Sequence, residues 1–183
     1  MPLRGFSSNF AVSDKRNAMT RIIEHATFAG ERPLFASSGL KLDHVTIGAG
    51  ESALKESRGI EAVDCRFEGK YPFWHVDGAA IDRCVFSAEA RAALWYSRDV
   101  KIADTLVEAP KTLRELDGAV LERVRIPHAQ ETLWHCRNVA LTDVEVAGAD
   151  YIFFHTDGIR IEDYGSRGSI RSSIAAMSRY AVP

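Results

Sequence analysis

The chain repeats itself at intervals of 19 to 21 residues, and few folds accommodate such a period. The segments LKLDHVTI from Leu40, IEAVDCRF from Ile60, AAIDRCVF from Ala79 and VKIADTLV from Val100 stack on one pattern. AVLERVRI from Ala119, VALTDVEV from Val139 and IRIEDYGS from Ile159 continue it. Their starts lie 20, 19, 21, 19, 20 and 20 residues apart, and RIIEHATF from Arg21 lies 19 before the first. In each segment, Arg21 apart, the first, third, sixth and eighth places are apolar or small, and the places between are mostly polar. That is two short alternating stretches with a break, the mark of two half-buried strands meeting at a bend. A further short apolar stretch follows and ends on Gly39, Gly59, Gly78, Asp99, Gly118, Asn138 or Gly158. Gly, Asn and Asp are the residues that tolerate positive φ at a corner.

Three short strands per coil predict a solenoid of parallel strands. A leucine-rich horseshoe needs an LxxLxLxxN signature, which is absent, and a left-handed hexapeptide helix has a shorter sub-period. The expected fold is therefore all-β: a single-stranded right-handed parallel β-helix with about seven to eight coils of roughly 20 residues. Residues 1–18 fall outside the repeat and are expected to cap the first coil or extend from it. The β-helix is expected over 19–164, and 165–183 form a cap or tail. There Ile170, Ile174, Met177 and Ala181 have the spacing of a short amphipathic capping helix. An uncovered coil end would template edge pairing, and a homo-oligomer is among the partners expected.

Composition narrows the partners. The net charge of -2 gives no bias towards nucleic acid or an anionic membrane. No apolar run approaches the ~20 residues of a spanning helix, and no secretory h-region opens the chain. Three cysteines suit a reducing, cytoplasmic setting better than a disulfide framework. No Walker loop, dinucleotide fingerprint or CxxC pair is present, so no cofactor is expected. His135, Cys136 and His155 lack any recognised ligand spacing, and no metal is expected.

The chemistry-bearing residues gather in the third stretch: LFAS from Leu34, LKES from Leu54, FWHV from Phe73, LWYS from Leu94, LREL from Leu113, LWHC from Leu133 and FFHT from Phe153. The first column is always Leu or Phe and must point inward. The second reads Phe35, Lys55, Trp74, Trp95, Arg114, Trp134, Phe154, with cations alternating among rings as cation–π stacking requires. It is either a stabilising outward ladder or a platform on which sugar rings or bases stack. The third column reads Ala36, Glu56, His75, Tyr96, Glu115, His135, His155. Strict alternation sends it inward, where carboxylates and imidazoles would need partners from neighbouring coils. A kink would expose it instead, and the sequence leaves the choice open. Glu31 and Glu51 should stack at ~5 Å, as any two residues on adjacent coils do. Cys65 and Cys84 share an inward column.

The segments FAGERPLF, GESALKES, GKYPFWH, ARAALWYS, APKTLRE, QETLWHC and GADYIFFH resemble a bacterial family of uncharacterised proteins with a pectin-lyase-like right-handed β-helix. The resemblance runs from about Met19 to about Tyr164. It implies the fold, and the family is catalogued as a domain of unknown function. The wider fold hosts polysaccharide lyases and glycoside hydrolases, an analogy of fold alone. A lyase would need a base and cations for a uronate carboxylate, with Lys55, Lys70, Arg91, Lys111 and Arg114 as candidates. A hydrolase would need two carboxylates, from Glu51, Glu56, Glu115, Glu131 and Asp150. The candidate catalytic set is thus Glu51, Lys55, Glu56, His75, Lys111, Arg114, Glu115 and His135. The candidate carbohydrate-binding set is Trp74, Trp95, Tyr96, Trp134, Phe154 and His155. The competing reading is a non-catalytic scaffold for protein assembly whose side-chain ladders serve stability.

Overall fold

The computed structural model describes residues 20–149 and 152–162, and all its regular structure is β. The repeats fall into register as their period requires. Arg21 pairs with Leu40, Leu40 with Ile60, Ile60 with Ala79, Ala79 with Val100, Val100 with Ala119, Ala119 with Val139, and Val139 with Ile159, always in parallel. These contacts build an eight-stranded sheet from Arg21–Glu24, Ser38–Asp43, Arg58–Val63, Asp77–Asp82, Arg98–Ala103, Asp117–Glu122, Arg137–Thr142 and Asp157–Glu162. A second, seven-stranded sheet follows the bend, running from Thr27–Glu31 and Thr46–Glu51 through two-residue strands to Glu145–Val146. The right-handed parallel β-solenoid of about seven coils is as the repeat predicts. The proposed capping helix and residues 1–18 lie outside the described residues.

Each coil whose corners are all described turns four of them, and a left-handed residue stands at each. On one coil they are Asp64 (φ 50), Tyr71 (φ 55), His75 (φ 57) and Gly78 (φ 76). The fourth corner is the one that the sequence foretells: Gly39, Gly59, Gly78, Asp99, Gly118, Asn138 and Gly158 all have φ between 52 and 76. The other corners use His, Asp, Arg, Tyr, Lys and Glu, residues for which this conformation costs energy. Hydrogen bonding to the next coil offsets that cost. At the first corner His44 N–H donates to Val63 O (3.1 Å), Asp64 N–H to Asp82 O (3.1 Å) and Asp104 N–H to Glu122 O (3.0 Å).

The third strand is shorter than the sequence suggests. Among the described residues, only Leu94–Trp95 and Leu113–Arg114 pair as strands there, with Arg114 bridging on to Trp134. The second and third corners are four residues apart, as at Tyr71 and His75, so few extended residues fit between them. The interior is filled by the expected columns. Phe67, Phe73 and Phe86 are fully buried, with Phe67 4.9 Å from Phe73 and 4.8 Å from Phe86 between ring centroids.

Candidate functional site

The open question about the third column is settled by the backbone. Glu56 (φ 62), His75 (φ 57), Tyr96 (φ 58), Glu115 (φ 56), His135 (φ 53) and His155 (φ 51) are all left-handed. A left-handed residue breaks the alternation of a strand, so both the second and the third columns face outward. The side chains of Glu56 and His75 are 47% and 46% exposed. The next residue then turns inward, giving the column Ser37, Ser57, Val76, Ser97, Leu116, Cys136, Thr156. Its hydroxyls are satisfied between coils. Ser97 Oγ accepts from Val76 N–H (3.0 Å) and donates to Phe73 O (2.7 Å), and Ser57 Oγ accepts from Ser37 N–H (3.0 Å).

From Lys55 to Phe154 the second column forms a continuous stack. Arg32 lies over Phe35 at 5.5 Å and Lys55 over Trp74 at 5.4 Å. Trp74 meets Trp95 at 5.6 Å. Arg114 sits between Trp95 (5.0 Å) and Trp134 (5.2 Å), and Trp134 meets Phe154 at 5.4 Å. Trp95 Nε1–H donates to Lys111 O at 2.6 Å, which fixes the plane of that indole. The Nε of Arg114 is buried against the rings with no hydrogen-bond partner. This buried donor carries a desolvation cost that the two ring faces must offset.

The third column rides outside this stack. Tyr96 contacts His75 at 5.2 Å and Trp74 at 6.0 Å, and His135 contacts His155 at 5.2 Å. Glu56 approaches His75 Nδ1 at 4.0 Å. Tyr96 and Phe154 are 46% and 44% exposed. Of the remaining candidates, Glu51 stands in register between Glu31 and Lys70. Lys111 Nζ binds Glu131 at 2.8 Å. Lys111 and Glu131 occupy the second corner, whereas Lys55, Glu56, His75, Arg114, Glu115 and His135 lie at the third. Asp150 is outside the described residues.

Sequence reasoning missed a second polar feature on the opposite side of the coil. At the first corner Asp64, Arg83, Asp104, Arg123 and Asp143 alternate. Arg83 grips both oxygens of Asp64 (3.0 and 3.0 Å), and Arg123 both oxygens of Asp104 (2.7 and 2.8 Å). Beside the fourth corner Arg98 binds Asp77 (2.8 Å) and Arg137 binds Asp117 (3.1 Å). The signal was present at the fifth place of the five eight-residue segments from Ile60 to Val139, where Asp and Arg take turns. The arginine hydrogen bonds hold the carboxyls of Asp64, Asp77 and Asp104 below the usual carboxylate value of 3.8. Depressed folded-state values stabilise the native chain above the ordinary carboxylate pKa, and that contribution disappears as pH falls through the folded values. The urea midpoint should therefore decline between about pH 5 and about pH 2, and less steeply in Arg83→Gln/Arg123→Gln. His44 behaves oppositely. Its Nδ1 meets Asp43 at 2.5 Å, which raises its pKa above 6.5, so its contribution is complete below that value and lost at higher pH. Asp43, His44 and Asp64 bring one potential metal-ligand atom each to within 4.8 Å of one another, but Arg83 already engages both oxygens of Asp64.

With this geometry established, comparison with known proteins assigns a family. The sequence profile of the family described as "Protein of unknown function (DUF3737)" matches residues 21–173. The chain belongs to that family. No curated protein matches this DUF3737 member. Among solved structures it is similar to the trypsin-treated form of QnrB1, a plasmid-mediated fluoroquinolone resistance protein. That pair shares 12% identity over 89% of this chain and 97% of the other, with a TM-score of 0.34. Full-length QnrB1 gives 12% identity, 88% and 100% coverage and a TM-score of 0.28. HetL, a pentapeptide repeat protein from the cyanobacterium Nostoc sp. strain PCC 7120, gives 11% identity, 74% and 84% coverage and a TM-score of 0.13. At these scores the likenesses carry no functional information. The family and the β-solenoid stand; the pectin-lyase-like part of the expected kinship does not follow from these matches.

Proposed function

We propose that this DUF3737 protein is a non-catalytic scaffold, a rigid solenoid that presents its third-corner ridge to a protein partner. One observation carries the reading: the ring faces of Trp74, Trp95 and Trp134 are already occupied by Lys55, Arg114 and neighbouring rings. A sugar stacks on an open ring face, and these faces already have a cation or a tilted ring from a neighbouring coil against them. The carboxylates and imidazoles of the third column stand on an exposed ridge, where water screens them. Large rings with exposed polar edges suit contact with another protein.

A specific observation supports the second reading, binding of a carbohydrate along the ridge. Tyr96 and Phe154 are exposed and three coils apart, and His75, His135 and His155 lie beside them. In that reading Glu51, Lys55, Glu56, Lys111, Arg114 and Glu115 supply the polar contacts. Titration of tryptophan fluorescence against a panel of neutral and acidic oligosaccharides separates the two. The scaffold reading expects no saturable change up to millimolar sugar. A saturable change that Tyr96→Ala or Phe154→Ala abolishes would replace it with the carbohydrate reading.

A further inference from the structure

Beneath the first corner lies a pair of nucleophiles that neither reading uses. Cys65 and Cys84 occupy the same place on consecutive coils: Val63 and Asp82 are register partners, and the left-handed Asp64 and Arg83 follow them. Equivalent residues on neighbouring coils are ~4.8 Å apart, inside the roughly 4.4–6.8 Å between Cα atoms that a disulfide spans. The thiols are joined by the hydrogen-bond ladder of this corner. Cys65 N–H donates to Cys84 Sγ (3.3 Å), and Val45 N–H donates to Cys65 Sγ (3.4 Å). Both cysteines are free, and they are 3% and 1% exposed.

We propose that Cys65 and Cys84 form an oxidation site, closed by peroxide to a disulfide that staples two coils together.

The two thiols are not equivalent. The neighbouring Cys84 thiol and the backbone amide of Val45, which donates to Cys65 Sγ, favour the thiolate of Cys65 and lower its pKa. The nearness of Cys65, together with burial, keeps Cys84 protonated. Cys65 is therefore the attacking sulfur. Its thiolate displaces hydroxide from hydrogen peroxide and becomes a sulfenic acid, the proton of the original thiol completing one water. The sulfur of Cys84 then attacks the sulfenyl sulfur, its proton leaves with the departing hydroxide as a second water, and the S–S bond forms. Two thiols lose two electrons and one peroxide gains them. Cys136 has no such neighbour: Leu116 and Thr156 flank it in its column, and burial pushes its thiol up to about 11. The corner tolerates replacement of either cysteine by a hydroxyl. The next coil already uses Thr105 here, whose Oγ1 accepts from Cys84 N–H at 3.1 Å.

The test is intact mass spectrometry of the full chain after brief treatment with hydrogen peroxide under native conditions, followed by non-reducing peptide mapping. The expected result is a loss of about 2 Da, a peptide linking Cys65 to Cys84, reversal by dithiothreitol and a raised melting temperature. Cys136→Ser should keep the mass loss. Cys84→Ser should lose it and yield a dimedone-reactive sulfenic acid on Cys65 instead. An unchanged wild-type mass, a bridge to Cys136, or oxidation to sulfinic acid without a bridge would overturn the proposal.

Discussion

Phe73→Ala lowers the unfolding free energy by about 3–5 kcal/mol, read as a fall in the urea midpoint at unchanged slope. The ring is fully buried, edge-on to Phe67 at 4.9 Å and 5.9 Å from Phe86. Its removal leaves a cavity in the middle of the stack, where the coils on both sides are held by backbone hydrogen bonds, Leu54 N–H to Pro72 O (2.8 Å) and Phe73 N–H to Ala93 O (2.8 Å), and cannot collapse into it. Phe73→Leu should cost far less, because every other coil but one carries Leu at this place: Leu34, Leu54, Leu94, Leu113 and Leu133.

Gly50→Ala is the second large effect, and its mechanism is different. Gly50 has φ 145, and a Cβ there would lie 1.9 Å from the carbonyl oxygen of Gly30. The obstacle is backbone, so no side-chain rotation relieves it. The pairing of Thr27–Glu31 with Thr46–Glu51, already shifted between Phe28 and Gly30, has to open. The expected cost is about 3 kcal/mol, with the amides of Arg32 and Gly50's neighbours losing hydrogen-exchange protection while those near Cys136 keep it. Gly39→Ala is the control. It has φ 60 with no atom within 4 Å of the added Cβ, and should cost only about 1 kcal/mol from the left-handed backbone.

The period was legible because stacking repeats it in every column. Once Leu40, Ile60 and Ala79 align, the register of the long sheet follows, and it is the one found. The fourth corner was legible because Gly, Asp and Asn advertise positive φ. The other corners were not. Tyr71, Arg83 and Glu56 have little intrinsic left-handed preference, and it is the bonding of coil to coil that holds them there. That blindness is why the direction of His75 and Glu115 was open: one left-handed residue reverses which column faces the core. The cation–π order was readable, and Lys55 does lie over Trp74. The Asp–Arg ladder was readable at the fifth place of the five segments from Ile60 to Val139. It was missed because exposed charge at a bend is ordinary unless its alternation is followed from coil to coil.

In the proposed scaffold the aromatic and cationic column is closed on itself and serves the solenoid. The decisive experiment is a double-mutant cycle between Arg114→Ala and Trp134→Ala, measured by urea unfolding. Each single change is expected to destabilise the chain, and the pair to be coupled by about 1 kcal/mol, because the guanidinium lies 5.2 Å over the indole. Single changes that leave stability untouched, with a coupling of zero, would contradict it and return the rings of this ridge to the service of a ligand.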